Sequence, residues 1–320
     1  MVVLFIIYIF VLVVIYNTLI ASLGSDIKDK ILSDQIHYFE KNLEKDVEKA
    51  VITAGKRAIL AAINHTIGSG EGLDDAKARL EELANNGTLF GEENQYMKDN
   101  TISNWTSFIR RTANSTSFKL NISLSEVKVK PYDSFNLLFE LNLTINISDK
   151  TNYVRIDKFV EKSIIVPIEG FEDPLAPLET NGLYSKTIKK SPFNTSQIGV
   201  SWSLEDMKED VLEGYYHPSW EGASFLDRLE GRLTTSSKYQ NLAPGRQIGL
   251  EHFVNLQTLY DLGLEIKENK TVVDHLYWDS NTYTSYRVNG LDISWFRIDN
   301  ETCGTLTHAQ IYGVENLLLP

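Results

Sequence analysis

Cysteine is nearly absent from this chain: Cys303 is the single one in 320 residues. One thiol cannot close an internal disulfide, so the fold must rest on core burial rather than cross-links. A basic surface is missing too. Lys and Arg number 31 against 43 Asp and Glu, for a formal charge of −12. No basic stripe offsets that balance, which argues against nucleic acid as a partner, because phosphate binding needs cations. HExxH, CxxC, GxSxG, Walker and EF-hand patterns are all absent, as are internal repeats and low-complexity runs. What is present is the composition of a folded protein, 42% hydrophobic and 23% charged, with length for one large or two modest domains beyond an N-terminal segment.

That N-terminal segment lacks charge altogether. Met1–Leu23 reads MVVLFIIYIFVLVVIYNTLIASL. Val2–Leu23 as a helix would span about 33 Å at 1.5 Å per residue, enough for a hydrocarbon core of roughly 30 Å. The apolar run is longer than a secretory h-region and has no basic n-region, which favours a retained anchor over a cleaved signal. The expected partner is therefore a lipid bilayer, through Val2–Leu23. Lys28 and Lys30 follow the span, and taken alone they favour a cytoplasmic body. Asn-x-Ser/Thr triplets point the other way. Ten acceptors occur, Asn64, Asn86, Asn104, Asn114, Asn121, Asn142, Asn146, Asn194, Asn269 and Asn300, against roughly three or four expected by chance. The expected localisation is the cell membrane, single-pass, with the body on the extracellular side.

The pattern beyond the anchor predicts an α+β fold: a transmembrane helix continuing into an amphipathic helix, then an antiparallel β-rich extracellular body. The expected segments are an anchor over 1–24, a stalk helix over 25–67, a helical segment plus hairpin domain over 68–180, and a mixed α/β domain over 181–320. In the stalk, Ile27, Ile31, Ile36, Phe39, Leu43, Val47 and Val51 recur at mostly three-to-five-residue steps. Gly68-Ser-Gly-Glu-Gly72 reads as a linker, since no strand precedes it and no Lys-Ser/Thr follows. Further helices are expected at Leu73–Ala84, Ile102–Arg111 and Leu204–Glu213. Phe118–Leu124 and Phe135–Ile147 alternate apolar and polar residues, as two strands of a hairpin would, with a bulge near Glu126. In LNLTINIS, residues 141–148, the polar face carries Asn142 and Asn146, so the apolar face should pack on a core while the Asn face stands in water. A further strand is expected at Ser163–Ile168. Short strands are expected at Thr271–Trp278, Thr284–Val288, Leu291–Ile298 and Thr307–Tyr312.

Chemistry is scarce. His275 beside Asp274 and Asp279 has a metal-like look, but neighbours on a strand face opposite sides, so no metal site is expected there. Glu169, Glu172 and Asp173 read as part of a proline-punctuated connection. Asp227 and Glu230, with Arg228 and Arg232, read as a salt-bridged helical face rather than a glycosidase pair. Tyr277, Trp278, Tyr283, Tyr286, Trp295 and Phe296 read as packing rather than as a sugar-stacking platform. Cys303 reads as a packed thiol. No catalytic residue, metal or cofactor is expected, and the chain is read as a non-enzyme.

An uncharged helix, its amphipathic continuation and a β-containing head resemble type IV pilin-like proteins over the first 65 or so residues. The phrases Ile168-Glu-Gly-Phe-Glu-Asp-Pro-Leu175, Ser224-Phe-Leu-Asp-Arg-Leu-Glu-Gly231, Ser294-Trp-Phe-Arg-Ile-Asp299 and Ile311-Tyr-Gly-Val-Glu315 look like those of archaeal anchored surface proteins. No prepilin cleavage motif is present, and the fifth residue is Phe5 rather than the glutamate of processed pilins. The resemblance implies self-association, or assembly with envelope or pilus components, through the N-terminal helix. The expected function is a glycosylated surface protein with a structural, adhesive or pilin-like role. A tethered receptor or carbohydrate-binding module is the alternative, with an anchored hydrolase ranked behind both.

Overall fold

The computed structural model describes residues 25–115, 118–124, 127–150, 154–193 and 202–320, together with Ile9 and Val13. Among these residues no helix is long and apolar enough to cross a membrane. That finding corrects the single-pass localisation expected above. The apolar stretch behind the expectation lies, apart from Ile9 and Val13, outside the described residues, as does the suggested bulge near Glu126. The first described helix, α1 (Ser25–Ser69), carries Asp, Glu or Lys at every turn over its first half, a pattern that lipid does not accept.

The chain is α+β with antiparallel sheets and an N-terminal helix. It forms two compact units, one from Met1–Arg57, Glu82–Lys128 and Phe139–Ile164, the other from Ala58–Glu81, Val129–Leu138 and Ile165–Pro320. Helix α1 contributes to both, followed by α2 (Ala76–Asn86) and α3 (Ile102–Asn114), then strands β1 (Phe118–Leu124), β2 (Lys128–Asp133), β3 (Asn136–Asp149) and β4 (Arg155–Pro167).

In the first unit the buried side chains of α1 include Ile36, Glu40, Leu43, Val47, Val51 and Ala54, steps of three and four that keep one stripe inward. Glu40 is the polar member of that stripe. Lys158 Nζ meets it at 2.5 Å and also bonds Glu44, so the buried carboxylate has a counter-charge reaching it from a half-exposed lysine. Helix α3 starts at Thr101, whose hydroxyl accepts the Asn104 N–H at 3.0 Å, a side-chain cap of the usual kind. Trp105 Nε1 donates to Asp46 at 2.9 Å. Strand β1 runs antiparallel to β3 with Asn121 opposite Asn146 and Ile122 opposite Ile145. Leu120, Ile122, Leu141, Leu143, Ile145 and Ile147 are buried, while Asn121 and Asn142 are exposed. Period-two alternation has thus separated core face from acceptor face.

The second unit contains α4 (Leu204–Glu213), β5 (Tyr216–Ser224), α5 (Phe225–Leu229), β6 (Gly249–His252), α6 (Leu256–Asp261), α7 (Asp274–Trp278), β7 (Ser285–Val288), β8 (Ile298–Asp299), β9 (Thr302–Cys303), β10 (Leu306–Thr307), α8 (His308–Ile311) and β11 (Leu318–Leu319). Its core gathers Phe253, Leu259, Val272, Tyr277, Phe296, Ile298 and Tyr312. Strands β5 and β6 pair antiparallel, and the register shifts between Ser219 and Ser224, both of which face Gly249. This bulge presses backbone on backbone: a Cβ on Gly249 would lie 2.0 Å from the Gly222 carbonyl oxygen.

Two expected strands are helices instead. Residues 274–278 form the single turn α7, because Val272 and Val273 already use their strand-like bonds to Arg297 and Phe253 and the chain turns immediately after. Residues 308–311 form α8, because Thr307 and Gln310 close a reciprocal capping box that starts a helix where alternation had suggested a strand. The expected strand over Leu291–Ile298 is confined to Ile298–Asp299.

Candidate metal centre

The second unit buries more charge than a core of its size needs. Strand β6 is buried along its whole length, so its successive residues reach two separate polar clusters on opposite sides. His252 turns to Asp173 and Asp274, and Glu251 turns to His275 and His308.

The first cluster is built around Arg228 of α5, which is fully buried. Its guanidinium donates to Asp173 at 2.6 Å, to Asp274 at 2.7 Å and to the Leu250 and Ala223 carbonyls. Tyr216 adds its hydroxyl to Asp173 at 2.8 Å. Burial alone would push Asp274 up, but the Arg228 charge outweighs it and holds that carboxyl far below the usual range. Burial pushes His252 down, toward its neutral form. The guanidinium is therefore the cation of this site. The sequence reading of Asp227 and Glu230, with Arg228 and Arg232, as a salt-bridged helical face holds for Arg232 and Glu230 at 3.0 Å, but Asp227 and Arg228 are buried and the ionic partners of Arg228 come from distant segments.

The second cluster is built without a guanidinium. Glu251, His275 and His308 are each 1% exposed, and one ligand atom from each lies within 4.8 Å of the other two. His308 Nε2 stands 3.5 Å from Glu251 Oε2, and the two imidazole rings meet edge to face at 5.6 Å. Their outer atoms are tied down. His308 Nδ1 donates to Asp299 at 2.6 Å, Asp299 is itself held by Thr271 at 2.7 Å, and Tyr312 donates to Glu251 Oε1 at 2.7 Å. Their inner atoms are not. Glu251 Oε2, His308 Nε2 and the ring nitrogens of His275 are buried without a hydrogen-bond partner, with His275 Nδ1 standing 3.6 Å from Asp274 Oδ1 of the first cluster. Burial pushes Glu251 up, yet the His308 and His275 charges outweigh it and bring it down to about 2. Burial likewise pushes His308 down, and Glu251 and Asp299 reverse that, raising it well above its ordinary value.

Each unsatisfied buried polar atom costs about 1–3 kcal/mol, and several of them drawn this close together call for an explanation such as an ion or water between them. Two imidazoles and one carboxylate are a donor set that zinc accepts. The carboxylate–histidine contact of Asp299 with His308 is the support that metal-ligating imidazoles ordinarily receive.

A cleft of about 560 Å³ opens beside this cluster, lined by Lys190, Phe193, Tyr216, His217, Trp220 and Cys303 among others. His217 is held at 2.8 Å by Asp210, which also takes the Ser191 hydroxyl. Cys303 lines the cleft, with its sulfur 3.6 Å from Ser219 Oγ.

No family model, curated protein or solved structure matches this chain. Its residues must carry the functional reading unaided.

Of the ten expected glycan acceptors, Asn64, Asn86, Asn104, Asn121, Asn142, Asn269 and Asn300 are exposed. Asn146 is half-buried and donates to Asp157 at 2.6 Å. Asn114 sits at the end of α3, and Asn194 lies outside the described residues. Among the aromatic residues, Tyr277 and Phe296 belong to the core, and Trp278 and Trp295 pack partly buried against it. Asp279 caps its own turn, bonding Asn281 and Tyr283, so of the three residues Asp274, His275 and Asp279 only His275 joins the candidate centre. Glu251 and His308 carried no spacing motif. The capping box at Thr307 and Gln310 was the available signal for the helix that aims His308.

Proposed function

We propose that this chain is a metal-binding protein whose second unit holds a zinc-class divalent ion on Glu251, His275 and His308. The observation that carries the reading is the set of inward atoms on those three residues, buried and without hydrogen-bond partners. An ion would take one donor atom from each of the three residues at once. Mixed nitrogen and oxygen donors on a buried, braced scaffold favour zinc over calcium or magnesium, which prefer oxygen-rich sites. Asp299 and Tyr312 orient the ligands. The test is zinc titration of the metal-stripped full chain by calorimetry, with metal content by mass spectrometry. One ion per chain in the wild type, absent from a His275→Ala/His308→Ala double variant, is the expected result. A wild-type chain that binds no zinc overturns the reading.

A second reading rests on a separate observation, the exposure of seven acceptor asparagines, including Asn121 and Asn142 on one sheet face. It is an N-glycosylated protein with a structural or adhesive role, compatible with metal binding in the other unit. Glycopeptide mass spectrometry of protein from its native cells decides it; unmodified asparagine at all ten acceptors would dismiss it.

A further inference from the structure

We infer that Cys303 supplies a fourth ligand to the ion as a thiolate, reaching it from the cleft side of the cluster. The inference rests on the metal reading above and specifies its coordination.

Position is the first argument. Cys303 is buried at the end of β9, where a two-strand hairpin pairs it with Leu306. The turn between them is fixed. Gly304 has a φ of +69°, and a Cβ there would lie 2.8 Å from Trp220 Cδ1, so the hairpin tip is wedged on the indole with no room for a larger residue. The next residue after β10 is His308 itself, N-terminal in α8. One short segment therefore delivers both the imidazole and the sulfur to the same hollow. The sulfur stands outside the set of atoms that lie within 4.8 Å of one another, and rotation about its Cα–Cβ bond between staggered positions is the movement ligation asks of it.

Charge is the second argument. A divalent ion held by two neutral imidazoles and one carboxylate keeps a net charge of +1 in a site sealed from water. Burying an unbalanced charge is expensive. A thiolate brings the centre to neutrality. The balance is simple: the thiol proton and any proton on a ligating imidazole nitrogen pass to solvent, the sulfur and nitrogen lone pairs form the metal bonds, and nothing is oxidised or reduced. Four ligands of this kind complete a tetrahedron, the closed arrangement zinc adopts in structural sites. Glu251, His275 and His308 are sealed, whereas Cys303 also lines the cleft, so sulfur is the ligand that solvent or a small molecule reaches first.

The experiment uses the full chain loaded with Co²⁺ in place of zinc. A sulfur-to-cobalt charge-transfer band in the near ultraviolet is expected, lost in Cys303→Ser while the visible cobalt bands persist. Zinc binding by Cys303→Ser should weaken by more than the roughly 10–100-fold typical of changes to ligand-supporting groups. Should that variant fail to fold, the wild-type band decides alone, together with alkylation of Cys303 by iodoacetamide, which bound zinc should slow at least about tenfold. Stoichiometric cobalt without a sulfur band overturns the fourth ligand and leaves the three-residue centre standing. No cobalt or zinc bound at all overturns both.

Discussion

His308 and Asp299 meet through Nδ1 and Oδ1 at 2.6 Å, and that contact decides what the other ring nitrogen can do. A carboxylate only accepts, so Nδ1 carries the proton and Nε2 is left facing Glu251 Oε2 at 3.5 Å. Replacing Asp299 with Asn keeps the shape and weakens the acceptor. The expected outcome is a loss of about 10–100-fold in zinc affinity with the one-ion stoichiometry unchanged, read by competition against a chromogenic chelator. Affinity equal to wild type would show that Asp299 serves the fold alone.

Arg228 gives the sharpest stability prediction. Its guanidinium satisfies Asp173, Asp274 and two carbonyls from a position with no solvent exposure. Arg228→Met leaves two buried carboxylates without a cation, a loss of about 3–5 kcal/mol. Arg228→Lys should recover little of it, because one ammonium cannot match the fork that reaches both acids. Urea unfolding of the full chain measures both. A Lys variant as stable as the wild type would mean that charge, rather than geometry, is what the site requires.

Those two clusters also mark where the sequence stopped being legible. Alternation in residues 118–124 and 135–147 exposed the faces of β1 and β3 because a strand has a period of two and one side of it was uniformly apolar. The stripe of α1 was readable for the matching reason, although its buried Glu40 breaks the apolar rule and needs Lys158 to explain it. The centre was hidden. Glu251, His275 and His308 come from three elements too short to show a period, and two of those elements were read as the wrong type. Reading Thr271–Trp278 as a strand set Asp274 and His275 on opposite faces of a sheet, when a single helical turn carries one to Arg228 and the other to Glu251 and His308. Arg228 misled differently: acids at neighbouring positions suggested local pairs on a wet face, and only tertiary burial reveals its partners 55 and 46 residues away.

The bulge in β5 makes a prediction about size alone. At Gly249 a methyl group would press on the Gly222 carbonyl at 2.0 Å and the Ser219 carbonyl at 2.7 Å, both backbone atoms that cannot swing aside. Gly249→Ala should therefore cost about 3 kcal/mol or more, the upper end for overpacking. It also lies two residues from Glu251, so zinc affinity should fall with stability. Gly245→Ala is the control on a nearby turn: no heavy atom lies within 4 Å of its added Cβ, and only its φ of +71° opposes the change, which predicts about 1 kcal/mol. Equal losses at the two positions would count against the close approach.

Acid should weaken the second unit through Glu230, away from the candidate centre. Its side chain is 3% exposed and accepts from Lys238 at 2.8 Å, Arg232 at 3.0 Å, the Ala76 N–H at 3.0 Å and the Tyr239 hydroxyl. Burial pushes this carboxyl up, but Lys238, Tyr239, Ala76 and Arg232 together outweigh it, so the folded pKa lies below the ordinary 4.5. The sign follows: below 4.5 the unfolded chain binds the extra proton first, so stability rises with pH through this window. The contribution is complete above the unfolded value and drains away as pH falls through the folded one. Glu230→Gln should cost about 2 kcal/mol at neutral pH and leave a shallower dependence of unfolding free energy on pH across the acid range. A variant whose acid slope parallels that of the wild type would place the acid sensitivity elsewhere.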